Sequence, residues 1–128
     1  MITLTLPFPP SVNTYYRNFR GRMVMSAKGR DFKLAVVYCV VKAGLKSLGD
    51  KKLKITMVLR PRDKRKIDID NRIKSVLDAL ENSGLFDNDY QVDDLRITRG
   101  ELIKDGCIVV TIEELSRQAE GESGQPDS

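Results

Sequence analysis

The stretch LKITMVLRPRDKRKIDIDNRIKSVLDALENSG, residues 53–84, contains both kinds of secondary structure from which the fold is predicted. Its first eight residues largely alternate apolar and polar side chains, which favours a strand with one buried face. A basic run follows, and from about Asp70 the apolar residues recur every three or four positions, which is typical of a helix that ends at Gly84. This part of the chain therefore predicts a strand that leads into a helix.

The flanking sequence predicts the remaining elements. Residues 2–6 alternate as a strand, and Ser26 is a candidate N-cap for a helix that ends between Gly44 and Gly49. Two more strands are expected over residues 91–102 and 107–113, joined by a hairpin turn at Asp105-Gly106. The order β-α-β-α-β-β predicts an α+β fold, in which a small mixed β-sheet packs against two main helices.

The length and composition of the chain suit a single domain in the cytoplasm. The chain has 128 residues, of which 41% are hydrophobic and 31% charged. We expect residues 1–114 to form the domain and residues 115–128, which lack periodicity, to form a disordered acidic tail. No apolar run is long enough for a membrane span, and no export leader is recognisable. We predict that Cys39 and Cys107, both in apolar runs, are reduced and buried.

The absence of histidine restricts the possible chemistry. Catalytic triads with histidine, histidine-ligated zinc and imidazole acid–base catalysis are all excluded. The two cysteines do not form a CxxC motif. Catalysis by this chain would therefore depend on carboxylates, lysine, hydroxyl groups and a bound metal ion.

The charges are unevenly distributed along the chain. Residues 68–94 contain eight acidic residues against two basic ones, whereas the rest of residues 1–114 contains nineteen basic and seven acidic residues. A basic surface attracts nucleic acid, but clustered carboxylates repel it unless cations lie between them. This distribution indicates a metal-dependent enzyme that acts on a polyanion.

The motif Asp68-Ile69-Asp70-Asn71, followed by Lys74, is the first candidate site. In an extended chain Asp68 and Asp70 would point to the same side, and an Asp70 that capped the helix would have Lys74 on the same flank one turn later. Two carboxylates and an ammonium group suit Mg²⁺ and phosphodiester hydrolysis. Alternatively, Asp70 is an ordinary helix cap, Asp68 is solvated, and Lys74 pairs with Asp70 or Asp78.

A second acidic segment, residues 87–94, follows the helix. It could return along the sheet and bring a third carboxylate to the first two, or it could be a solvated turn before a strand. It does not match an EF-hand, because the sixth position from Asp87 is valine rather than glycine.

Two basic runs flank the acidic motif. The first lies within residues 17–33, where residues 17–25 suggest an irregular hairpin or a mobile flap, and the second lies within residues 60–66. Each could be a solvated surface, but together they favour binding to the phosphate backbone. In the preceding loop we expect one of the two adjacent tyrosines to pack on the core. The candidate DNA-binding residues are Asn13, Tyr16, Arg17, Arg62, Lys64, Arg65, Lys66 and Lys74.

Several motifs taken together resemble the RusA family of phage and prophage Holliday junction resolvases. They are Pro9-Pro10-Ser-x-Asn13-x-x-Tyr16-Arg17, Asp68-x-Asp70-Asn71-x-x-Lys74, Leu77-Asp78-Ala79-Leu80, Gly84-Leu85-Phe86 and Asp89-x-Gln91-Val92. No single motif is specific, but the series runs in order through residues 4–113.

The resemblance implies an activity and a site. It implies Mg²⁺ bound by Asp68, Asp70 and Asp89, with Lys74 needed for cleavage. It also implies a homodimer that cuts four-way junction DNA with paired symmetric nicks in recombination and repair. Asn88 departs from the family pattern, in which two adjacent acids are frequent, so Asp87 is the alternative third carboxylate. Two other functions stay open: a branched-DNA-binding protein without catalysis, and a metal-dependent nuclease with another preferred substrate.

Overall fold

The computed structural model describes residues 1–115 of the chain. The strands are β1 (Ile2–Pro7), β2 (Tyr16–Phe19), β3 (Arg22–Met25), β4 (Leu53–Arg60), β5 (Val92–Arg99) and β6 (Cys107–Glu114). The helices are α1 (Val12–Tyr15), α2 (Ala27–Lys42) and α3 (Ile73–Asn82), with short 3₁₀ turns at Asp70–Arg72 and Asp89–Gln91. The predicted α+β class is confirmed. The predicted disordered tail, residues 115–128, lies outside the described part except for Leu115, whose amide donates a hydrogen bond to the Lys52 carbonyl at 2.9 Å.

The main sheet has four strands in the order β1-β6-β4-β5. Strand β6 is antiparallel to both of its neighbours, so that Val110 lies opposite Leu4 on one side and Met57 on the other. Strand β4 is parallel to β5, with Met57 opposite Ile97. The sheet is therefore mixed, as predicted.

The predicted hairpin between the last two strands is wrong. Asp105 and Gly106 do form a turn with positive φ, at 68° and 70°, but β4 lies between β5 and β6. The hydrophobic pattern explains this arrangement. Strand β6 buries Ile108, Val110 and Ile112 and takes an inner position, whereas the more polar β5 lies at the exposed edge of the sheet.

The core lies between the sheet and helices α2 and α3, which contact each other. Strand β4 buries every second side chain from Leu53 to Leu59, as its alternation predicts. Helix α2 contributes Phe32, Val36 and Val40, and α3 contributes a continuous buried face around Val76 and Leu80. Burial of this apolar surface is the main stabilising contribution to the fold.

The ends of the two main helices agree partly with the sequence. The Ser26 hydroxyl accepts a hydrogen bond from the Gly29 amide at 3.0 Å and caps α2 as predicted. Gly84 has a φ of +84° and follows the last turn of α3, a position that favours glycine. The possibility that Asp70 caps α3 is not borne out: Asp70 begins the 3₁₀ turn, and its side chain makes no capping hydrogen bond.

Two features that bear on location follow from the described residues. The prediction that both cysteines are buried is confirmed for Cys107 but is wrong for Cys39, which is only partly buried; both thiols are free. Within residues 1–115, the helices are all too short or too polar to cross a bilayer.

Candidate active site

The loop of residues 61–69, here called the basic loop, brings the chain from the sheet to the acidic motif. It is held from the β5 side, because the Arg99 guanidinium donates a hydrogen bond to the Ile67 carbonyl at 2.9 Å and the Ile103 amide donates to the Pro61 carbonyl at 3.0 Å. Asp68 follows this anchor immediately and is exposed. The anchors fix where the acidic motif begins.

Asp68 and Asp70 do not lie in a fully extended chain, so the prediction from strand geometry is wrong at this point. Ile69, between them, has helical dihedral angles (φ −72°, ψ −35°), since the 3₁₀ turn starts here. Both carboxylates are exposed. The turn forms because the chain must pass from the loop into α3.

The start of α3 is anchored to the proline-rich loop after β1. The Arg72 guanidinium donates a hydrogen bond to the Pro9 carbonyl at 2.6 Å and lies 4.9 Å from the Phe8 ring centroid. The buried Ser75 hydroxyl donates to the Pro10 carbonyl at 2.7 Å. Sequence reasoning missed both anchors. Their signal was weak, because an arginine and a serine near a helix start are common on solvated surfaces.

Lys74 and Asp89 form the ion pair that joins the two acidic segments. The Lys74 Nζ lies 3.2 Å from the Asp89 Oδ2. This hydrogen bond raises the pKa of Lys74 despite an opposing effect of desolvation, so the ammonium stays charged at neutral pH. The alternative partners considered from the sequence, Asp70 and Asp78, do not form this bond. We name the four residues predicted from the sequence, Asp68, Asp70, Lys74 and Asp89, the Lys74 site; the structure joins two of them, Lys74 and Asp89.

Asp89 is positioned by its own turn. Its amide donates a hydrogen bond to Glu81 Oε1 on α3 at 3.1 Å, and the side chains of Asn88 and Gln91 form a capping box around the 3₁₀ turn. Gln91 is buried and also donates to the carbonyls of Gly49 and Lys51. The exposed Asp87 has no such contact from its carboxylate. The structure thus brings Asp89, and not Asp87, to Lys74.

Two tyrosines lie against the same helix, and sequence reasoning missed the role of one. The buried Tyr15 donates a hydrogen bond to Asp78 Oδ2 at 2.5 Å, and burial together with this bond raises its pKa well above the usual range. Tyr16 packs edge-on against Tyr15 with 4.9 Å between ring centroids. Burial and the Asp78 charge raise the pKa of Tyr16, while the charge of Lys74 opposes this effect.

The carboxylates do not form a preassembled metal site. Within residues 1–115, no three Asp, Glu, Cys or His side chains are close enough together to hold a metal ion. Asp89 is instead held by Lys74. The donor set nevertheless suits a hard divalent cation, because Asp68, Asp70 and Asp89 offer only oxygen ligands.

The candidate DNA-binding residues fall into two groups. Arg62 and Arg65 lie within 4 Å of Asp63 in the basic loop, and the Arg65 amide, the largest contributor, lowers the pKa of that carboxyl. Lys64 and Lys66 are exposed in the same loop. The other group is Asn13 on α1 with Tyr16 and Arg17 on β2, of which Asn13 and Arg17 are exposed. The expectation that one adjacent tyrosine packs on the core is confirmed by Tyr15.

Segment 17–25 forms the antiparallel hairpin β2–β3, which pairs Arg17 with Val24 and Phe19 with Arg22. This confirms the first of the two alternatives. We call β2, β3 and their turn the basic hairpin, because it carries Arg17, Arg20 and Arg22 and no acidic residue.

The chain is similar to named nucleases along most of its length. A family model described as "Endodeoxyribonuclease RusA" matches residues 7–113. A crossover junction endodeoxyribonuclease of Enterobacteria phage HK97 is 34% identical over 110 residues, covering 86% of this chain and 92% of the relative. The enzymes of that name from Escherichia coli K12 and Enterobacteria phage 82 are each 35% identical over 116 residues, covering 91% and 90% of this chain and 97% and 96% of the relatives. The chain therefore belongs to the RusA family of endodeoxyribonucleases.

Proposed function

We propose that this protein is a Mg²⁺-dependent endonuclease that resolves four-way junctions and other branched DNA by paired symmetric nicks. Its family membership supports a nuclease of the crossover-junction type, dependent on a divalent metal ion. The observation that carries the assignment of the site is the Lys74–Asp89 ion pair, because it links the two acidic segments at the start of α3.

Asp68, Asp70 and Asp89 would hold the metal ion. Their oxygens are the ligands that Mg²⁺ prefers, and one or two carboxylates together with water and substrate phosphate suffice for it. When bound, the cation would activate water and polarise the phosphoryl group of the cleaved bond. Asp68 and Asp70 are exposed, so a DNA strand can approach them directly.

The chain's own residues would orient the substrate and offset charge. Lys74 stays protonated at neutral pH and can stabilise the negative charge that develops on the phosphoryl oxygens. Tyr15 holds Asp78 by a hydrogen bond and packs edge-on against the neighbouring Tyr16. Arg72 and Ser75 tie α3 to the proline-rich loop, so the site is built on anchored elements.

The surrounding cations would bind the DNA backbone. Lys64 and Lys66 of the basic loop and Arg17 of the basic hairpin are exposed. Arg62 and Arg65 lie on the same loop, Tyr16 lies on the hairpin, and Asn13 lies on the preceding helix α1. Contacts of this kind position DNA without reading its sequence. Selectivity for a junction would then depend on the shape of the substrate.

We propose that the protein acts as a homodimer and that it is located in the cytoplasm. Symmetric cuts across a junction need two active sites related by a two-fold axis, and most homo-oligomers are closed two-fold dimers. Each chain contributes one Lys74 site to such an arrangement. The free thiols of Cys39 and Cys107 agree with a reducing compartment.

The experiment that tests the proposal is cleavage of a synthetic four-way junction by the purified protein, with Mg²⁺ and with EDTA. Linear duplex and flap DNA are assayed in parallel. We expect symmetric nicks in the junction with Mg²⁺ alone. Asp70→Asn should bind the junction as tightly as wild type but should not cleave it, because one metal ligand is lost while the charge of the DNA-binding surface is kept or increased.

Asp93→Asn is the matched control. Asp93 is an exposed aspartate on β5 that lies 3.9 Å from Lys52, and its loss should leave the cleavage rate unchanged. Cleavage by Asp70→Asn at the wild-type rate would refute the metal assignment. Binding without any cleavage by wild type would favour a DNA-binding protein, and faster cleavage of flaps than of junctions would favour a different nuclease.

A further inference from the structure

The basic hairpin presents an exposed aromatic side chain between two guanidinium groups. Phe19, at the end of β2, is 46% exposed. The guanidinium carbons of Arg17 and Arg20 lie 5.3 Å and 5.2 Å from its ring centroid. Met23 on β3 is 67% exposed. An aromatic ring that is about half exposed between two guanidinium groups is typical of a surface that binds an anionic and aromatic partner.

The base of the hairpin is rigidly attached to the rest of the protein. The Ser26 amide donates a hydrogen bond to the Tyr15 carbonyl at 3.0 Å, and Arg30 donates to the Met25 carbonyl at 3.1 Å. A side-chain carbon at Gly29 would lie 2.5 Å from the Tyr15 carbonyl oxygen, so α2 and α1 are in close contact beneath the hairpin. The hairpin is therefore a fixed projection.

The turn at the tip of the hairpin holds Arg20 in a left-handed backbone conformation, which is strained for arginine. Arg20 and Gly21 have φ angles of 53° and 77°, and the Gly21 amide donates to Asn18 Oδ1 at 3.1 Å. Glycine or asparagine takes this conformation at lower cost than arginine does. Strain of this kind is common at functional sites. Here it places the Arg20 guanidinium beside the Phe19 ring.

The hairpin starts at the candidate active site. Its first residue, Tyr16, packs edge-on against Tyr15, whose hydroxyl donates a hydrogen bond to Asp78, one helical turn after Lys74 on α3. Phe19 is three residues further along an extended strand, which is roughly 10 Å. This length corresponds to about three stacked nucleotides of one DNA strand. The tip can therefore contact bases near a phosphate that lies at the Lys74 site.

From this arrangement we propose that Phe19 stacks on an unpaired or unstacked base at the branch point of the DNA while Arg17 and Arg20 bind the adjacent phosphates. This inference rests on the proposed function and extends it to substrate selectivity. A branch point offers base faces that a continuous duplex keeps covered, because duplex bases stack on one another. Stacking of a base on an aromatic side chain tolerates any sequence, since every base has a π face.

The test measures binding in EDTA, where cleavage is not needed. The ligands are a four-way junction with 2-aminopurine at the branch point and a linear duplex with the same label. Phe19→Leu keeps apolar surface but removes the ring. We expect it to bind the junction roughly 5- to 150-fold more weakly than wild type, to bind the duplex within about twofold of wild type, and to lose the fluorescence change that wild type causes.

The matched control is Tyr38→Leu. Tyr38 is a 64% exposed aromatic residue on α2, also with a cation over its ring, since Lys42 Nζ lies 5.6 Å from the ring centroid. This change should leave junction binding unaltered. Phe19→Trp, which keeps a stacking surface, should retain tight binding and the fluorescence change.

Two results would overturn the inference. One is junction binding by Phe19→Leu that equals that of wild type. The other is a change of molecular mass in solution for Phe19→Leu or Phe19→Trp, because the ring would then belong to a contact between subunits. Failure of the proposed function is distinguishable, since it would appear as absence of cleavage by wild type in Mg²⁺.

Discussion

The Lys74 site and the basic hairpin use charge in opposite ways. At the Lys74 site, positive and negative side chains are paired on anchored elements: Lys74 binds Asp89, and α3 is tied to the loop after β1 by Arg72 and Ser75. The basic hairpin instead carries three arginines and no acid, with Phe19 in solvent between two of them. Under the proposals above, the first region would arrange groups for chemistry, and the second would leave them free for DNA.

The difference between the two regions indicates which parts of a small domain suit catalysis and which suit binding to a polyanion. Chemistry requires groups held within a fraction of an ångström, which a helix start packed on the core supplies. Binding to a polyanion requires unpaired cations that can release counterions, and these are most accessible on a projecting hairpin. We therefore expect changes in the two regions to separate cleavage from binding.

Lys74→Ala should have the largest effect of these changes and should reduce cleavage much more than binding. We expect the rate of junction cleavage with Mg²⁺ to fall by roughly 10²- to 10³-fold, because a charge that stabilises the transition state is lost. Junction affinity, measured in EDTA, should change only a few-fold. Single-turnover cleavage and a binding titration check the two quantities.

Lys46→Ala provides the comparison, since Lys46 is an exposed lysine after α2. It should cleave as wild type does. An equal loss of affinity and cleavage in Lys74→Ala would mean that Lys74 only binds the backbone.

Tyr15→Phe tests the anchor shared by both regions. It removes the hydrogen bond to Asp78 and should lower the free energy of unfolding by about 1.5–3 kcal/mol at neutral pH. The folded state raises the pKa of Tyr15, so the stability from this group is fully present below its unfolded pKa of about 10 and is lost as the pH rises further. Urea unfolding at neutral and alkaline pH should show the difference between wild type and variant shrinking above about pH 10.

Tyr38→Phe, on the exposed face of α2, should leave the free energy of unfolding unchanged. If the difference in free energy of unfolding between wild type and Tyr15→Phe stayed constant up to alkaline pH, it would contradict the claim that the neutral Tyr15 hydroxyl stabilises the folded state.

Arg20→Gly should have the smallest effect of these changes. It tests whether the backbone at Arg20 is strained and whether its guanidinium contacts DNA. Glycine relieves the strain at φ 53°, so we expect the free energy of unfolding to rise by roughly 0.5–1 kcal/mol. The slope of log affinity for junction DNA against log salt concentration should fall by about 1, because one phosphate contact is lost. Urea unfolding and a salt titration measure these two changes.

Gly21→Ala, at φ 77°, should destabilise the protein while leaving the salt dependence intact. If Arg20→Gly lost stability instead, the arginine would make a contact within the protein that outweighs its strain.

Elements with strong local patterns could be predicted from the sequence. The alternation in β4, the Ser26 cap of α2 and the role of Gly84 after α3 all agree with the structure. Local sequence patterns could not predict whether the strands on either side of Asp105-Gly106 pair with each other. The turn there forms as predicted, but which strands pair depends on where β6 buries most apolar surface, and that is a property of the whole sheet.

The candidate site also has features that were visible in the sequence and others that depend on the fold. The residue types and spacing in the motif of Asp68 and Asp70, and in the segment around Asp89, were visible in the sequence. That Lys74 pairs with Asp89 rather than with Asp70 or Asp78 was not, because the bond joins residues whose distance depends on how the turn after α3 folds back. The hydrogen bonds of Tyr15 with Asp78, and of Arg72 and Ser75 with the proline-rich loop, were missed for the same reason.

By itself, the sequence determined the order of the main elements and the uneven distribution of charge, since these follow from residue types and short-range periodicity. The tertiary structure alone decided the strand order, the pairing of Lys74 with Asp89 and the hydrogen bond between Arg72 and the Pro9 carbonyl. Contacts between distant residues form where burial and hydrogen bonding are satisfied for the whole chain at once, and no local pattern contains that balance.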